Sequence, residues 1–295
     1  MTEFHADDYG LFPAQSRRIL ACCRYGVLNG ISVITNSANL TECMDILRPY
    51  MGRLQIAVHL NFMEGYSLSD PKQIDMLTDQ NGKFTVSFGR LVLASYLFTR
   101  NKYRQQFRRE IRAQIQALLP YLDGRKLRID SHAHYHMIPV VFDALMDVIH
   151  EENLEVEYIR IPRERISLYW THRKELTALR PINLLKVLVL NAFSKRNLRK
   201  YKSDLNEWKK NLFIGVLYSG RMCEQNLKAL LPDAEWLVAQ KGSYLEILAH
   251  PGGVYEEADI RGLTNSADIA FLTSVFREQE AKAFAALKEY MPDAH

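Results

Sequence analysis

Three histidines stand at every second position between residues 130 and 139, directly after residues 126–129, which predict a short strand. They are His132, His134 and His136. If that strand continues through them, its period of two places all three rings and Asp130 on one face. Imidazole and carboxylate groups gathered in this way bind divalent metal ions. The segment therefore predicts part of a metal site.

Two other segments carry a histidine late in an alternating run. Residues 54–60 alternate so that His59 shares a face with Asn61, and residues 245–250 place His250 on a face with Glu246. The carboxyl ends of parallel strands meet at one edge of a sheet, which is where the active sites of α/β barrels lie. We therefore expect these side chains near the triple-histidine segment.

A pair of adjacent carboxylates, Asp7 and Asp8, lies near the amino terminus and is followed by Gly10. Adjacent side chains on a strand point to opposite faces, so both carboxylates reach one pocket only if the backbone turns there, which Gly10 allows. One carboxylate could then bind a cation while the other accepts a proton from water. The alternative is that one caps the helix expected after Pro13 and the other is exposed.

Strands and helices are expected to alternate along the chain. About seven strands alternating with helices predict an irregular α/β barrel of parallel strands, similar to a TIM barrel. Closure of the sheet into a barrel would leave no strand edge exposed. A single domain is expected over residues 1–295. The polar stretch 64–88 predicts a loop that shapes substrate choice. Helices are expected at 13–25, 40–51, 90–98, 103–121, 140–152 and 274–290, and strands before Asp7 and near 30–35, 54–60, 126–136, 157–162, 212–218 and 244–248.

The composition is that of an ordinary globular chain, with 295 residues of which 47% are hydrophobic. No run reaches about 18 apolar residues, and the first residues lack the pattern of a secretory signal, so a cytoplasmic location is expected. The four cysteines lack CxxC spacing and are expected to be buried small side chains rather than a disulfide framework or a zinc site.

Four motifs occur in the order found in the YdjC-like carbohydrate deacetylases, and together they resemble that family over almost the whole chain. The motifs are His5-Ala-Asp-Asp-Tyr-Gly10, Val58-His-Leu-Asn61, Asp130-Ser-His-x-His-x-His-x-x-Pro139 and Glu246-x-x-x-His-Pro-Gly252. The resemblance implies a barrel with missing or irregular strands, related to NodB-like polysaccharide deacetylases. It also implies one divalent metal ion, with magnesium and zinc the first candidates, and hydrolysis of an N-acetyl group on a sugar.

The resemblance also implies roles for individual residues. Asp8, His59 and His132 would be the metal ligands, Asp7 the general base that takes a proton from metal-activated water, and His250 the general acid. Arg160, in an Arg-x-Pro element, would orient the base carboxylate. Beyond the resemblance, five further residues are candidates to support the ligands or contact substrate, and a structural hydrogen-bonding role is the alternative for each: His134, His136, Asp130, Asn61 and Glu246.

The amino terminus departs from the family pattern. Only Phe4 supplies a large apolar side chain before the aspartate pair, and His5 stands where asparagine is common. These differences predict either a truncated first strand or a chain start that lies late, and they predict more loosely held carboxylates.

Charge is concentrated in residues 160–210, with 14 Lys or Arg against 4 Asp or Glu, whereas the whole chain has 38 against 34. An apolar helix at 182–193 with a basic tail to residue 202 allows three interpretations. It could cover the barrel or form a homodimer, it could contact a membrane at its surface, or it could bind an anionic saccharide. The expected partner is an acetylated saccharide, and a lipid-linked one would suit the membrane interpretation.

Two other classes of function use some of the same features. A metallophosphoesterase or an Fe(II) oxygenase can use the same Asp, His, His ligands, although the oxygenases usually lie on a different β fold. A nucleic-acid binder could use the basic 160–210 region, but the chain contains no RRM, KH or zinc-finger pattern, so no specific nucleic acid is expected.

Overall fold

The computed structural model describes residues 1–206, 211–254, 269–270 and 272–290. In this part of the chain the strands are β1 (Thr2–Tyr9), β2 (Gly30–Ile34), β3 (Gln55–Leu60), β4 (Leu127–Ser131), β5 (Val156–Ile159), β6 (Leu212–Ile214) and β7 (Leu245–Ala249). The helices are α1 (Pro13–Tyr25), α2 (Leu40–Leu47), α3 (Phe88–Ala94), α4 (Arg100–Leu118), α5 (Pro139–Glu151), α6 (Ile166–Thr171), α7 (Pro181–Lys200), α8 (Lys202–Leu205), α9 (Glu224–Ala239) and α10 (Val275–Tyr290).

The strands form one parallel sheet in the order β5-β4-β3-β2-β1-β7-β6. This confirms the predicted fold, an irregular barrel of seven parallel strands with helices. Across the described residues, however, β5 and β6 are not paired with each other, so backbone pairing does not close the barrel. Side chains span the gap instead: the Tyr158 hydroxyl donates to Glu246 Oε2 at 2.7 Å, and the Arg160 guanidinium lies 5.8 Å from the centre of the Phe213 ring.

The expectation of a truncated first strand was wrong, because β1 is eight residues long and buried from Glu3 onward. Phe4 packs edge-to-face on Phe284 of α10, with ring centres 5.8 Å apart. The alternate residues, including His5 and Asp7, point into the barrel, where ionic partners rather than apolar contacts hold them. A strand with polar residues on its inner face therefore needs few apolar residues.

The expectation that the triple-histidine segment continues its strand was also wrong. β4 ends at Ser131, and residues His132–Met137 form a 3₁₀ turn in which Ala133 and His134 have φ of 49° and 57°. The Ser131 Oγ atom accepts a hydrogen bond from the His136 backbone N–H at 2.8 Å, which closes the turn. The three rings consequently point in different directions.

The interior of the barrel is ionic, unlike the aliphatic layers typical of TIM barrels. His5 lies 2.5 Å from Glu3 and 2.6 Å from the Ser32 hydroxyl, and Arg128 donates to Glu3 at 2.7 Å. Gly30 is required beside this cluster, since a Cβ there would lie 2.3 Å from Glu3 Oε1. His5 is therefore fixed, contrary to the expectation that it would loosen the neighbouring carboxylates.

Helices cover the outer face of the sheet, where the apolar core lies. The prediction for α1 matches its observed ends, whereas the helix predicted at 40–51 ends at Leu47 and continues as a 3₁₀ segment, Arg48–Arg53. Among the described helices, none combines the length and the apolar composition needed to cross a membrane. Three cysteines are buried as expected, but Cys223 is only half-buried.

Candidate metal centre

The two adjacent aspartates both reach the mouth of the barrel because the backbone turns at Asp8. Asp8 has a φ of 67°, and the register between β1 and β2 shifts between Ala6 and Tyr9. Aspartate tolerates this left-handed conformation better than most residues do. The turn was expected at Gly10, which also has a positive φ, but Asp8 itself carries it.

Asp8, His59 and His132 converge at the carboxyl ends of β1, β3 and β4. The Asp8 Oδ1 atom lies 2.8 Å from His132 Nδ1 and 3.5 Å from His59 Nε2, and one ligand atom from each of the three residues falls within 4.8 Å of the others. All three side chains are buried. The set offers one carboxylate and two imidazoles to a single cation and leaves other coordination positions open, as catalytic sites require.

Each of these side chains is oriented by a second polar partner. His59 Nδ1 lies 2.6 Å from Asp130, and His132 Nε2 lies 3.5 Å from Glu64. Carboxylates in this position fix the tautomer and direction of histidines that bind metals. Asp8 Oδ2 accepts a hydrogen bond from Arg277 of α10 at 2.8 Å, so that Oδ1 stays turned toward the histidines.

Glu64 and Arg277 were not predicted as site residues. Glu64 follows β3 in a loop without periodicity, and Arg277 lies 269 residues from its partner. The only signal for Glu64 is that it comes three residues after Asn61, in the loop that leaves a site strand. For Arg277 the sequence offers no local signal.

The electrostatics of the buried interior suit a divalent cation. Burial lowers the pKa of His59, but the Asp7 and Asp130 carboxylates outweigh this and raise it to about 9. Burial likewise opposes charge on His132, yet Asp8 raises its pKa to about 10. Among the described residues around the centre, the buried carboxyl groups outnumber the buried guanidinium groups that pair with them: Glu3, Asp7, Asp8, Asp130 and Glu246 against Arg128, Arg160 and Arg277.

Protonated His59 and His132 can offset this excess of carboxyl groups, and a divalent cation would replace their protons. One atom favours the cation: His59 Nε2 is buried and has no hydrogen-bond partner. Leaving a buried polar atom unsatisfied costs about 1–3 kcal/mol. The donor set, its supporting carboxylates and this unsatisfied nitrogen together fit a divalent metal.

Asp7 lies beside the cluster and is held by Arg160. Arg160 Nη1 donates to both Asp7 oxygens at 2.9 Å, while its Nε donates to Glu246 at 2.6 Å and its Nη2 lies 2.8 Å from Asp130. Asp7 Oδ2 is 3.9 Å from His59 Nε2, so this carboxylate stands next to the candidate cation position without joining the set. One arginine thereby orients Asp7 and supports the carboxylate behind His59.

The YdjC-like protein family matches residues 3–288. The chain belongs to that family. The residues that form the centre therefore lie within the matched region, from Asp7 near its start to Arg277 near its end.

Several relatives of this YdjC-like chain have named activities. A carbohydrate deacetylase of Xenopus laevis is 25% identical over 83% of this chain and 79% of its own length, and one of Danio rerio is 23% identical over 76% and 68%. A chitooligosaccharide deacetylase of Proteus mirabilis is 25% identical over 56% of this chain and 61% of its own.

A solved structure from Enterococcus faecalis, described as a cellobiose-phosphate cleavage protein, has the same fold. It superposes with a TM-score of 0.66 at 17% identity and covers 99% of this chain and 94% of its own. At that identity the similarity supports the fold alone.

In this YdjC-like chain His250 follows β7 and is held by its backbone. The His250 N–H donates to Glu280 Oε2 at 2.6 Å, and the imidazole Nδ1 is 3.9 Å from the same oxygen. The side chain is 21% exposed, so solvent reaches the imidazole. Glu280 lies one helical turn after Arg277, and α10 therefore positions both His250 and Asp8.

The remaining residues predicted for the site have different surroundings. His136 is fixed within the fold, with Nε2 2.8 Å from the Arg160 carbonyl oxygen, and burial lowers its pKa to about 4. His134 packs edge-to-face on Phe213, and burial with the nearby Arg160 charge lowers its pKa well below the ordinary value. Asn61 organises the loop after β3, where its Oδ1 accepts from two backbone N–H groups at 3.1 Å.

Proposed function

We propose that this chain is a metal-dependent hydrolase that removes the N-acetyl group from an acetylated amino sugar or oligosaccharide. The observation that carries the proposal is the convergence of Asp8, His59 and His132, with a buried and unsatisfied His59 Nε2, beside the arginine-held Asp7. The named activities of the relatives supply the substrate class.

Amide hydrolysis needs a strong nucleophile, stabilisation of negative charge on the carbonyl oxygen, and a proton for the departing amine. Asp8, His59 and His132 would hold the metal, and magnesium and zinc are the first candidates because such ligands bind either. When bound, a divalent ion makes water more acidic and polarises a carbonyl group. The more acidic water would supply the nucleophile at neutral pH, and the polarised carbonyl would carry the developing negative charge.

Asp7 would accept the proton of the attacking water. Its two oxygens are fixed by Arg160, so the carboxylate cannot rotate away from the water position, and it lies on the side of His59 that faces the candidate cation. A positioned base of this kind contributes about a hundred- to ten-thousandfold to the rate.

His250 would protonate the sugar nitrogen as it leaves. Its imidazole is partly exposed at the end of β7, the strand next to β1, and the fixed Glu280 keeps its backbone in place. Asp7 and His250 thus flank the position of the acetyl group from neighbouring strands. His134 packs on Phe213 and has a pKa well below its ordinary value, so as a neutral imidazole it would contact substrate rather than bind the cation.

Purified protein assayed for metal and for acetate tests the proposal directly. We expect about one equivalent of divalent metal by elemental analysis and acetate release from N-acetylglucosamine oligomers. Chelation should abolish the release, and addition of zinc or magnesium should restore it. Metal-loaded protein that releases no acetate from any oligomer would contradict the proposed activity.

We also propose that α7 contacts anionic membranes, which would suit a lipid-linked substrate. Its exposed apolar residues Ile182, Leu185 and Leu188 continue along the same helix face into Lys195 and Arg199. Apolar burial and attraction to anionic headgroups together bind such helices at a bilayer surface. A homodimer through this face and a cytoplasmic location stay predictions.

Sedimentation with vesicles tests the membrane contact. We expect more binding to vesicles rich in phosphatidylserine than to neutral ones, and a large loss of binding in Lys195→Gln/Arg199→Gln. Lys102→Gln is the matched control, since Lys102 lies on α4 and pairs with Asp75 at 3.4 Å. Equal and negligible sedimentation with both kinds of vesicle would dismiss the contact.

A further inference from the structure

A groove lies beside the candidate metal centre, with a volume of about 450 Å³. Its walls come from the loops that follow β1, β2 and β3, and they include Phe12, Asn39, Glu64, Tyr66 and Leu68. Glu64 joins the groove to the centre, since its carboxylate is 3.5 Å from His132. A molecule whose reacting group occupies the centre would therefore extend into this groove.

The outer wall, residues 61–87, is held in place by buried side chains of α4. The backbone N–H groups of Leu68 and Ser69 donate to Glu110 at 3.0 and 2.9 Å, and that of Met76 donates to Gln106 at 2.9 Å. Because Glu110 and Gln106 are buried, these bonds are protected from water. The wall is consequently preorganised.

Tyr66 presents an aromatic ring from this fixed wall. Its carbonyl oxygen accepts from Asn36 at 2.9 Å, whereas its side chain is 59% exposed. Among the described residues, the hydroxyl has no hydrogen-bond partner and the ring has no aromatic or cationic neighbour. Leu68 and Met63, in the same segment, are also exposed. Apolar groups gathered at the edge of a groove commonly mark a binding site.

The charge of the groove restricts what it can bind. Of the described residues that line it, Glu64 alone is charged, and the others are apolar or neutral polar groups. An anionic ligand would find no cation there and would be repelled by Glu64. A pyranose ring suits these walls, because its C–H face packs on an aromatic ring and its hydroxyls donate to oxygen atoms.

We propose that this groove binds the neutral sugar unit next to the one that carries the N-acetyl group, with the Tyr66 ring as its stacking surface. This inference rests on the proposed deacetylase function and adds to it a substrate class, an uncharged saccharide of at least two units. The segment 61–87 then selects substrate by length and charge.

Kinetics with N-acetylglucosamine oligomers of one and three units test the groove. Wild-type protein should have a higher kcat/KM for the trisaccharide than for the monosaccharide. Tyr66→Ala should reduce the ratio of these two values about tenfold, mainly by raising KM for the trisaccharide. A tenfold reduction corresponds to the loss of about 1.4 kcal/mol of binding free energy. Tyr66→Trp should restore the ratio. Tyr96→Ala is the matched control, because Tyr96 is 72% exposed but does not line the groove.

Titration calorimetry with Asp7→Asn protein separates this inference from the proposed reaction. We expect the trisaccharide to bind the Asp7→Asn protein, and we expect the additional change Tyr66→Ala to weaken that binding about tenfold. An anionic sulfated trisaccharide should not bind in this way. These results would support the groove even if no acetate is ever released. The inference is wrong if wild-type protein does not prefer the trisaccharide, or if Tyr66→Ala leaves that preference unchanged. Either result would overturn it even if deacetylation is observed.

Discussion

The variant His59→Ala is expected to lose metal and turnover together. His59 supplies one of two imidazoles to the candidate centre, and it lies fully buried between Asp8 and Asp130. Removal of a residue that only hydrogen-bonds to a metal ligand already lowers metal affinity about 10–100-fold. Removal of the ligand itself should therefore lower metal affinity more than a hundredfold. Elemental analysis and acetate release measure both effects on the same sample.

The variant Asp7→Asn is expected to lose turnover but keep its bound metal. Asparagine has the shape of aspartate and can still accept a hydrogen bond from Arg160, but it cannot take a proton from water. Metal content should stay at the wild-type level while turnover falls about a hundred- to ten-thousandfold. A proportional loss of metal would show that Asp7 is a ligand and not the base.

Surface residues of the same types provide controls for both variants. His150→Ala removes a histidine that is paired with Asp204 on the surface, and Asp45→Asn removes a carboxylate paired with Arg48. Both should keep metal and turnover. Since His59→Ala also deprives Asp130 of its partner, His59→Gln serves as a second variant if the alanine protein fails to fold. Full metal occupancy in a folded His59 variant would remove this residue from the centre.

Much of the centre could be predicted because parallel strands bring their carboxyl ends to one edge. Asp8, His59 and His132 each come at or just after the end of a strand, so their meeting required only the strand assignments. The period-two argument failed at His134, where the strand had already ended. The strand ends at Ser131 because the Ser131 hydroxyl accepts a hydrogen bond from the His136 backbone N–H and closes a turn. The alternation of apolar residues does not reveal such a bond.

Other parts of the structure depend on partners distant in the chain. β1 appeared too polar to be a long strand because the partners of its inner residues lie on other strands, such as Arg128 for Glu3. The helix α9 was not predicted, since Pro232 within it usually interrupts a helix. Arg277 bonds to Asp8 across 269 residues, a separation over which the sequence pattern gives no signal.

The variant Arg160→Met is expected to have the largest effect on stability. The Arg160 guanidinium is almost completely buried and lies within 2.9 Å of Asp7, Asp130 and Glu246. Methionine can fill the space but leaves three buried carboxylates without their cation. Breaking one buried ion pair costs about 3–5 kcal/mol, and a loss of at least this size is expected in urea unfolding.

The pH dependence of that loss distinguishes ion pairing from a packing defect. Burial favours the neutral form of Asp130, but Arg160 and His59 outweigh it and hold the pKa of Asp130 below its ordinary value. In the wild type, this carboxylate contributes stability that is present above about pH 4 and is lost as the pH falls further. Without Arg160, burial should raise the pKa of Asp130, so the native state binds protons more readily than the unfolded chain.

The variant should therefore lose stability as the pH rises, while the contribution of Asp130 in the wild type stays constant above about pH 4. We expect the difference in unfolding free energy between Arg160→Met and wild type to be larger at pH 8 than at pH 5. Arg165→Met, at an exposed arginine bonded to Ser167, is the matched control and should change stability by less than about 1 kcal/mol. A difference independent of pH would show that Arg160 acts by filling space, and the account of Asp7 as a carboxylate oriented by a buried charge would then be wrong.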